Sequence, residues 1–222
     1  MENNDPLVNQ LIWERLYSQG KNDLLYPNDI FVRMASRNFD SGIKAVLDYG
    51  MGTGANLIHL ARRGYTVSGL EVSSSAVQIV SKRLKGEMLQ ADLKISSIGE
   101  SLPWEKNYFD AVVAWQVLYY NDRSSWKFSI SEIDRVLRPG GIFIAATAAP
   151  GDISHVQSIP LGNSIYRSSV PDQENCLMLI PERDELAACF PGWGGGIEIG
   201  EMGYTFGSYT AKHWLITYRK PN

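Results

Sequence analysis

The stretch AVLDYGMGTGANLIHLA, residues 45–61, constrains this chain more than any other. An apolar run leads to Asp48, then to glycines at every second position, Gly50, Gly52 and Gly54, then to an amphipathic run. Glycines so placed let the backbone turn sharply off a strand end into a helix and let a ligand lie against bare main chain. In open α/β sheets this is the crevice beyond the carboxyl ends of the strands, at the topological switch point.

The surrounding pattern supports that reading. Strands are expected in IKAVLDYG, YTVSGLEV, EMLQADL, FDAVVAWQVL and IFIAATAA. Between them, ANLIHLARRG, SSSAVQIVSKRLKG and SWKFSISEIDRVLRPGG read as helices, the first two closed by Gly64 and Gly86. Strand and helix alternating at this pace predicts a parallel sheet with helices on both faces. Two helices precede it, one opened by Asp5-Pro6 and running to about Ser18, the other spanning Pro27 to Arg37. Residues 151–180 are rich in Ser, Pro, Gly and Asn and form the longest irregular stretch. PERDELAACF then reads as a short helix, GWGGG as a turn, and IEIGEMGYTF with AKHWLITYRK as a terminal antiparallel pair. The expected fold is α/β, a Rossmann-like doubly wound sheet of seven strands, mostly parallel with an antiparallel C-terminal strand. It forms one domain over 1–222: a helical cover (1–40), a cofactor-binding core (41–150), a substrate lid (151–180), and a C-terminal helix with the strand pair (181–222).

Composition narrows the partners. The 222 residues carry 21 basic and 24 acidic side chains, net charge −3, with no basic block to favour nucleic acid. Cys176 and Cys189 match no metal-ligand spacing and no disulfide framework, and free thiols suit a reducing compartment. MENNDPLVNQ is unlike a signal peptide, and no apolar run approaches the roughly 18 residues that span a bilayer. A cytoplasmic protein, monomer or homodimer, without metal, membrane or nucleic acid is expected.

The glycine spacing bears on the ligand. Dinucleotide sites use G-x-G-x-x-G with the pyrophosphate at a helix N-terminus; here it is G-x-G-x-G, preceded by Asp48. An acid there repels a pyrophosphate and favours an ammonium group. Glu71 ends the second strand, where a carboxylate accepts both hydroxyls of a ribose, as in NAD enzymes too. Asp92, in QADL, is expected at the end of the third strand, where it would meet an adenine amino group.

With these residues in place, the chain resembles a known family. LDYGMGTG, the acid of GLEV, ADL, FDAVVAWQVL and LRPGGIFIA look like the successive motifs of class I S-adenosylmethionine-dependent methyltransferases of the small-molecule, type 11/12-like kind, in order across residues 44–148. The resemblance implies S-adenosyl-L-methionine as cofactor and S-adenosyl-L-homocysteine as product. It also implies that Asp48 and the glycine loop hold the methionine end, Glu71 with Val72 the ribose, Asp92 and Leu93 the adenine, while Trp115 and Gln116 lie under the sulfonium. The fourth strand runs into WQVLYYND and not Asn/Asp-Pro-Pro-Tyr, and neither cysteine follows a proline, so DNA and release-factor substrates are disfavoured. Methyl transfer to oxygen or nitrogen of a small molecule is the expected function. The alternatives are an NAD(P)-dependent oxidoreductase and a non-catalytic S-adenosylmethionine-binding relative.

Groups around the acceptor are read less directly. Trp13 and Tyr17, one helical turn apart, suit core packing or a cover over the cofactor in which Tyr26 and Arg33 take part. Tyr119 and Tyr120 follow the fourth strand and are expected to reach the pocket. A hydroxyl or ammonium acceptor needs a base, and His155, in the long insertion, is the first candidate, with Tyr119 and Tyr120 as further catalytic candidates. His59 and Asp110 read as structural, and His213 as half-buried in the last strand without function.

Overall fold

The computed structural model describes residues 7–222, so Asp5 and Pro6, the expected helix start, lie outside the described residues. Two helices, α1 (Leu7–Ser18) and α2 (Asp29–Asn38), precede the sheet. The alternating core follows as β1 (Ala45–Tyr49), α3 (Ala55–Arg62), β2 (Thr66–Glu71), α4 (Ser74–Gly86), β3 (Asp92–Ile95), β4 (Phe109–Trp115), α5 (Arg123–Val136) and β5 (Leu137–Ala148). After α6 (Ile153–Val156) come β6 (Ser158–Gly162), β7 (Ile165–Ser168) and β8 (Leu177–Leu179). The chain ends with α7 (Arg183–Leu186), β9 (Ile197–Phe206) and β10 (Tyr209–Arg219).

Seven strands form one sheet in the order β3-β2-β1-β4-β5-β10-β9. The first five are parallel; β10 runs antiparallel to both β5 and β9. The strand order reverses between β1 and β4, which places the switch point beside the glycine loop. Alternation along the strands fills both faces. Val46, Ala111, Val113 and Ile144 meet Phe31, Leu57 and Val80 on one side. Leu47, Val112 and Phe143 meet Trp126, Ile130 and Ile133 of α5 on the other. Strands apolar on both faces are what helices on both sides of a parallel sheet require.

Two expectations are corrected here. The third strand does not cover EMLQADL but begins at Asp92. Residues 87–89 instead close α4: Leu89 N–H returns to the Leu84 carbonyl at 2.9 Å, with Met88 left-handed at φ 56°. This Schellman-type stop consumes the residues that resemble a strand. Residues 151–180 are not irregular either, since β6, β7 and β8 make a separate antiparallel sheet. Gly162 pairs with Ile165 across a two-residue loop in which Asn163 and Ser164 both have positive φ, 53° and 60°. That is the primed hairpin turn, with Asn at one of its two left-handed positions.

Candidate functional site

A cavity of about 580 Å³ opens at the carboxyl ends of the parallel strands. Its floor is the glycine loop. Gly50 and Met51 N–H both donate to the Leu70 carbonyl, at 2.9 and 3.0 Å, folding the loop back over β2. Gly50 and Gly52 sit at φ 72° and 53°, and a Cβ on Gly50 would lie 2.3 Å from Val117 Cγ2. Gly54, also left-handed, is the N-cap of α3 and lies outside the cavity lining. Asp48 lies beneath the loop, also outside the lining. Burial pushes its carboxyl up to about 7, against a hydrogen bond from the Leu57 amide and with the Glu71 charge adding to the rise, and its Oδ2 has no partner.

Glu71 and Val72 line the cavity. The Glu71 carboxylate accepts from Gly52 N–H at 2.9 Å, Val72 N–H at 2.8 Å and Ser73 N–H at 3.1 Å. Burial raises its pKa, and the three amides oppose the rise. The acid is thus held rigidly by main chain, and its oxygens border the space that a ribose would enter.

Helix α1 and the loop before α2 add to the lining of the cavity. Asn9, which sequence reasoning missed, is fully buried. Its Nδ2 donates to the carbonyls of Tyr120 and Leu177, each at 2.8 Å, and its Oδ1 accepts from Leu177 N–H at 2.8 Å. Glu14, lowered by hydrogen bonds from Ser73 and Ser75 despite partial burial, pins α1 to the start of α4. Trp13 and Tyr17 stack at 5.4 Å and line the cavity. Tyr26 also lines it, in a loop tied down by the Asp23–Arg83 ion pair at 2.5 Å. Arg33 does not: its side chain is 71% exposed, 3.6 Å from Asp29 on the outer face of α2.

Asp92 and Leu93 are also absent from the lining. Because β3 begins at Asp92, its carboxylate lies three residues short of the ligand end, where it takes Trp104 Nε1–H at 3.1 Å and Lys94 at 3.0 Å. Ser96, Ser97 and Ile98 line the cavity in its place. Their sequence signal was the turn-forming run SSIG after the true strand.

The other end of the cavity collects residues from β4, the segment after β5, and β10. Trp115 and Gln116 line it, Gln116 in a left-handed conformation at φ 57°. Tyr119 and Tyr120 line it too; Tyr119 OH donates to Tyr120 OH at 3.0 Å, which donates to Gln173 Oε1 at 2.9 Å. Burial raises both phenols, which keeps them protonated. His155 is outside the lining: its Nδ1 accepts from Gly151 N–H at 3.1 Å and its Nε2 is 3.2 Å from Tyr166 OH. His213, expected to be without function, does line the cavity, together with Asp152. Among the described residues no group of three or more His, Cys, Asp and Glu side chains could hold a metal ion, and no helix is long and apolar enough to cross a membrane.

Residues 46–141 match the family model of a methyltransferase domain. An uncharacterized methyltransferase of Synechocystis sp. is 36% identical over 98 residues, 44% of this chain and 44% of that one. The fatty-acid O-methyltransferase of Mycolicibacterium smegmatis is 33% identical over 112 residues, 48% of this chain and 38% of that one. The chain thus spans less than half the length of these curated relatives in the matched region. By fold, a 1,6-didemethyltoxoflavin-N1-methyltransferase of Burkholderia thailandensis, solved with 1,6-didemethyltoxoflavin and S-adenosylhomocysteine bound, superposes with a TM-score of 0.71 at 14% identity, over 97% of this chain and 88% of that one.

Proposed function

We propose that this chain, a class I S-adenosylmethionine-dependent methyltransferase in its matched core, methylates an oxygen or nitrogen of a small molecule. The observation that carries the reading is one continuous cavity. It joins Glu71 and the glycine loop, at the ends of β1 and β2, to Tyr119, Asp152 and His213, near the ends of β4, β5 and β10.

The chain's own groups suit S-adenosylmethionine. Glu71, with lone pairs beyond those its three amides use, accepts from ribose hydroxyls, and Val72 and Ser96–Ile98 border the adenine. Gly50 and Gly52 admit the methionine portion against bare backbone, and the unpartnered Asp48 oxygen below them favours an ammonium above. Trp13, Tyr17 and Trp115 exclude water from the sulfonium. The bound sulfonium supplies an already activated methyl group, so the protein's task is to align the acceptor and keep the site dry.

Residues 1–40 act as the cover, 41–150 as the cofactor core, 151–180 as a lid over the acceptor, and 181–222 close the far edge of the sheet. A cytoplasmic monomer or homodimer acting on a metabolite accords with this reading. The G-x-G-x-G spacing and Asp48 oppose the NAD(P) alternative.

Isothermal titration with S-adenosylmethionine, S-adenosylhomocysteine and NADH, repeated on Glu71→Ala, tests the proposal. Micromolar binding of both sulfur compounds, abolished in the variant, is expected. Preferential NADH binding would replace the reading with an oxidoreductase, and binding without turnover on any acceptor would favour the non-catalytic relative.

A further inference from the structure

His213 lies in β10, in register with Ala148 of β5 and Met202 of β9. It is 7% exposed and faces the cavity. Its Nε2 is 3.0 Å from Gln116 Nε2. An amide nitrogen only donates, so Nε2 accepts, and the ring proton resides on Nδ1. Nδ1 has no hydrogen-bond partner, and Asp152 Oδ2 stands 3.8 Å from it. The Asp152 carboxylate is fixed by two amides, Oδ1 accepting from Ser154 N–H and Oδ2 from Lys212 N–H, both at 2.8 Å. A buried imidazole whose cavity-facing Nε2 lone pair is met by an amide that an incoming O–H or N–H can displace, with a carboxylate behind its opposite nitrogen, is an arrangement for receiving a proton.

The charge of the lining narrows the acceptor. Among the described residues, Glu71, Glu100 and Asp152 line the cavity and no Lys or Arg does. S-adenosylmethionine carries its own ammonium beside its carboxylate. An acceptor carboxylate or phosphate would find no cationic side chain to hold it, only the sulfonium charge that the transfer itself removes, and would stand in a buried space that already holds Asp152, which favours an uncharged acceptor.

We propose that His213, backed by Asp152, is the proton-accepting end of an acceptor subsite for uncharged O–H or N–H acids such as phenols and azoles. The inference rests on the methyltransferase reading. In the empty site the Gln116 amide donates to His213 Nε2; the O–H or N–H of a bound acceptor takes its place. That proton passes to Nε2, the acceptor's freed electron pair forms the bond to the methyl carbon, and the carbon–sulfur bond breaks with its electron pair left on sulfur. Asp152 stabilises the imidazolium until it returns the proton to solvent. His213 is therefore a catalytic residue and Asp152 a positioning residue.

Burial lowers the His213 pKa and the Asp152 charge partly restores it, so the ring is neutral and able to accept at pH 7. The ionisable groups near this pair are the Tyr119 and Tyr209 phenols, both raised mainly by burial and both also by the Asp152 charge. Lys212 is next in the chain, with its Nζ 3.5 Å from Glu201 on β9.

Imidazole NMR of the protein loaded with S-adenosylhomocysteine tests the inference, with the His213 signal assigned by its loss in His213→Gln. The signal is expected to titrate below the ordinary histidine range, to titrate lower still in Asp152→Asn, and to shift on addition of 7-hydroxycoumarin or benzimidazole but not octanoate. On whichever of the first two is methylated, His213→Gln should lower kcat on the order of 100-fold or more while binding S-adenosylhomocysteine as the parent does. Failure to bind S-adenosylhomocysteine would sink the methyltransferase reading itself. Binding of the cofactor product with a His213 signal unmoved by both neutral probes, preference for octanoate, or an unimpaired His213→Gln would overturn this inference alone.

Discussion

Gly52 donates its backbone N–H to Glu71 Oε2 at 2.9 Å, so the glycine loop after β1 and the acid that ends β2 form one unit. A ligand that touches Glu71 therefore also meets the loop.

Glu71→Gln should weaken S-adenosylhomocysteine binding by about 10- to 100-fold, because an amide offers one acceptor oxygen where the carboxylate offers two, and charge-assisted bonds are the stronger kind. Calorimetric titration beside Glu71→Ala checks this. Unchanged affinity in both would remove the ribose role from Glu71.

Gly50→Ala should destabilise the protein by about 2–4 kcal/mol, from a left-handed backbone and an overpacked contact. Its new methyl would fall 2.3 Å from Val117 Cγ2 at φ 72°. Adding Val117→Ala should recover only part of the steric cost, because its Cβ would still lie 2.7 Å from the new methyl, and should leave the backbone part, as read in urea unfolding. Full recovery would mean that neither the φ angle nor that remaining contact carries a cost.

Asn9→Ala would leave the Tyr120 and Leu177 carbonyls and the Leu177 amide without their partner. Each buried group left unsatisfied costs about 1–3 kcal/mol. Because these bonds tie α1 to the rest of the chain, α1 should become the first segment cut in limited proteolysis. An unaltered digestion pattern would count against Asn9 as the anchor.

Asp48 governs a pH dependence of opposite sign to the usual carboxylate. Burial lifts it from 3.8 to about 7 in the folded chain. Between those values the folded chain keeps a proton that the unfolded chain has released. Stability is therefore fully present below the lower value and falls as pH rises through the upper one, by at most about 1.4 kcal/mol per pH unit. Asp48→Asn should flatten this slope in denaturant titrations across the interval, and an identical slope in the variant would assign it to another group.

What the amino-acid order alone determined was local. The glycine loop and Glu71 were legible at the strand-end crevice because each depends on a strand end and the few residues after it, whereas Asp48, expected beside them, lies beneath the loop outside the cavity lining. The apolar runs of β1, β4 and β5 were long enough to announce a sheet buried on both faces. The terminal hairpin β9–β10 was legible for the same reason, as two alternating runs across a short glycine turn. Asp92 was misplaced because a helix cap and a strand start compete for the same residues, and only the hydrogen bond from Leu89 to Leu84 decides between them. The β6–β8 sheet was missed because its strands are only five, four and three residues long and are joined by runs that hold Ser, Pro and Asn. The far end of the cavity belongs to tertiary structure altogether. Asp152 and His213 are 61 positions apart in the chain, and nothing near either one calls for the other. They meet because β10 pairs antiparallel with β5 in a register that sets His213 opposite Ala148, four residues before Asp152. Strand register follows from the packing of a whole face, so no window of sequence contains it.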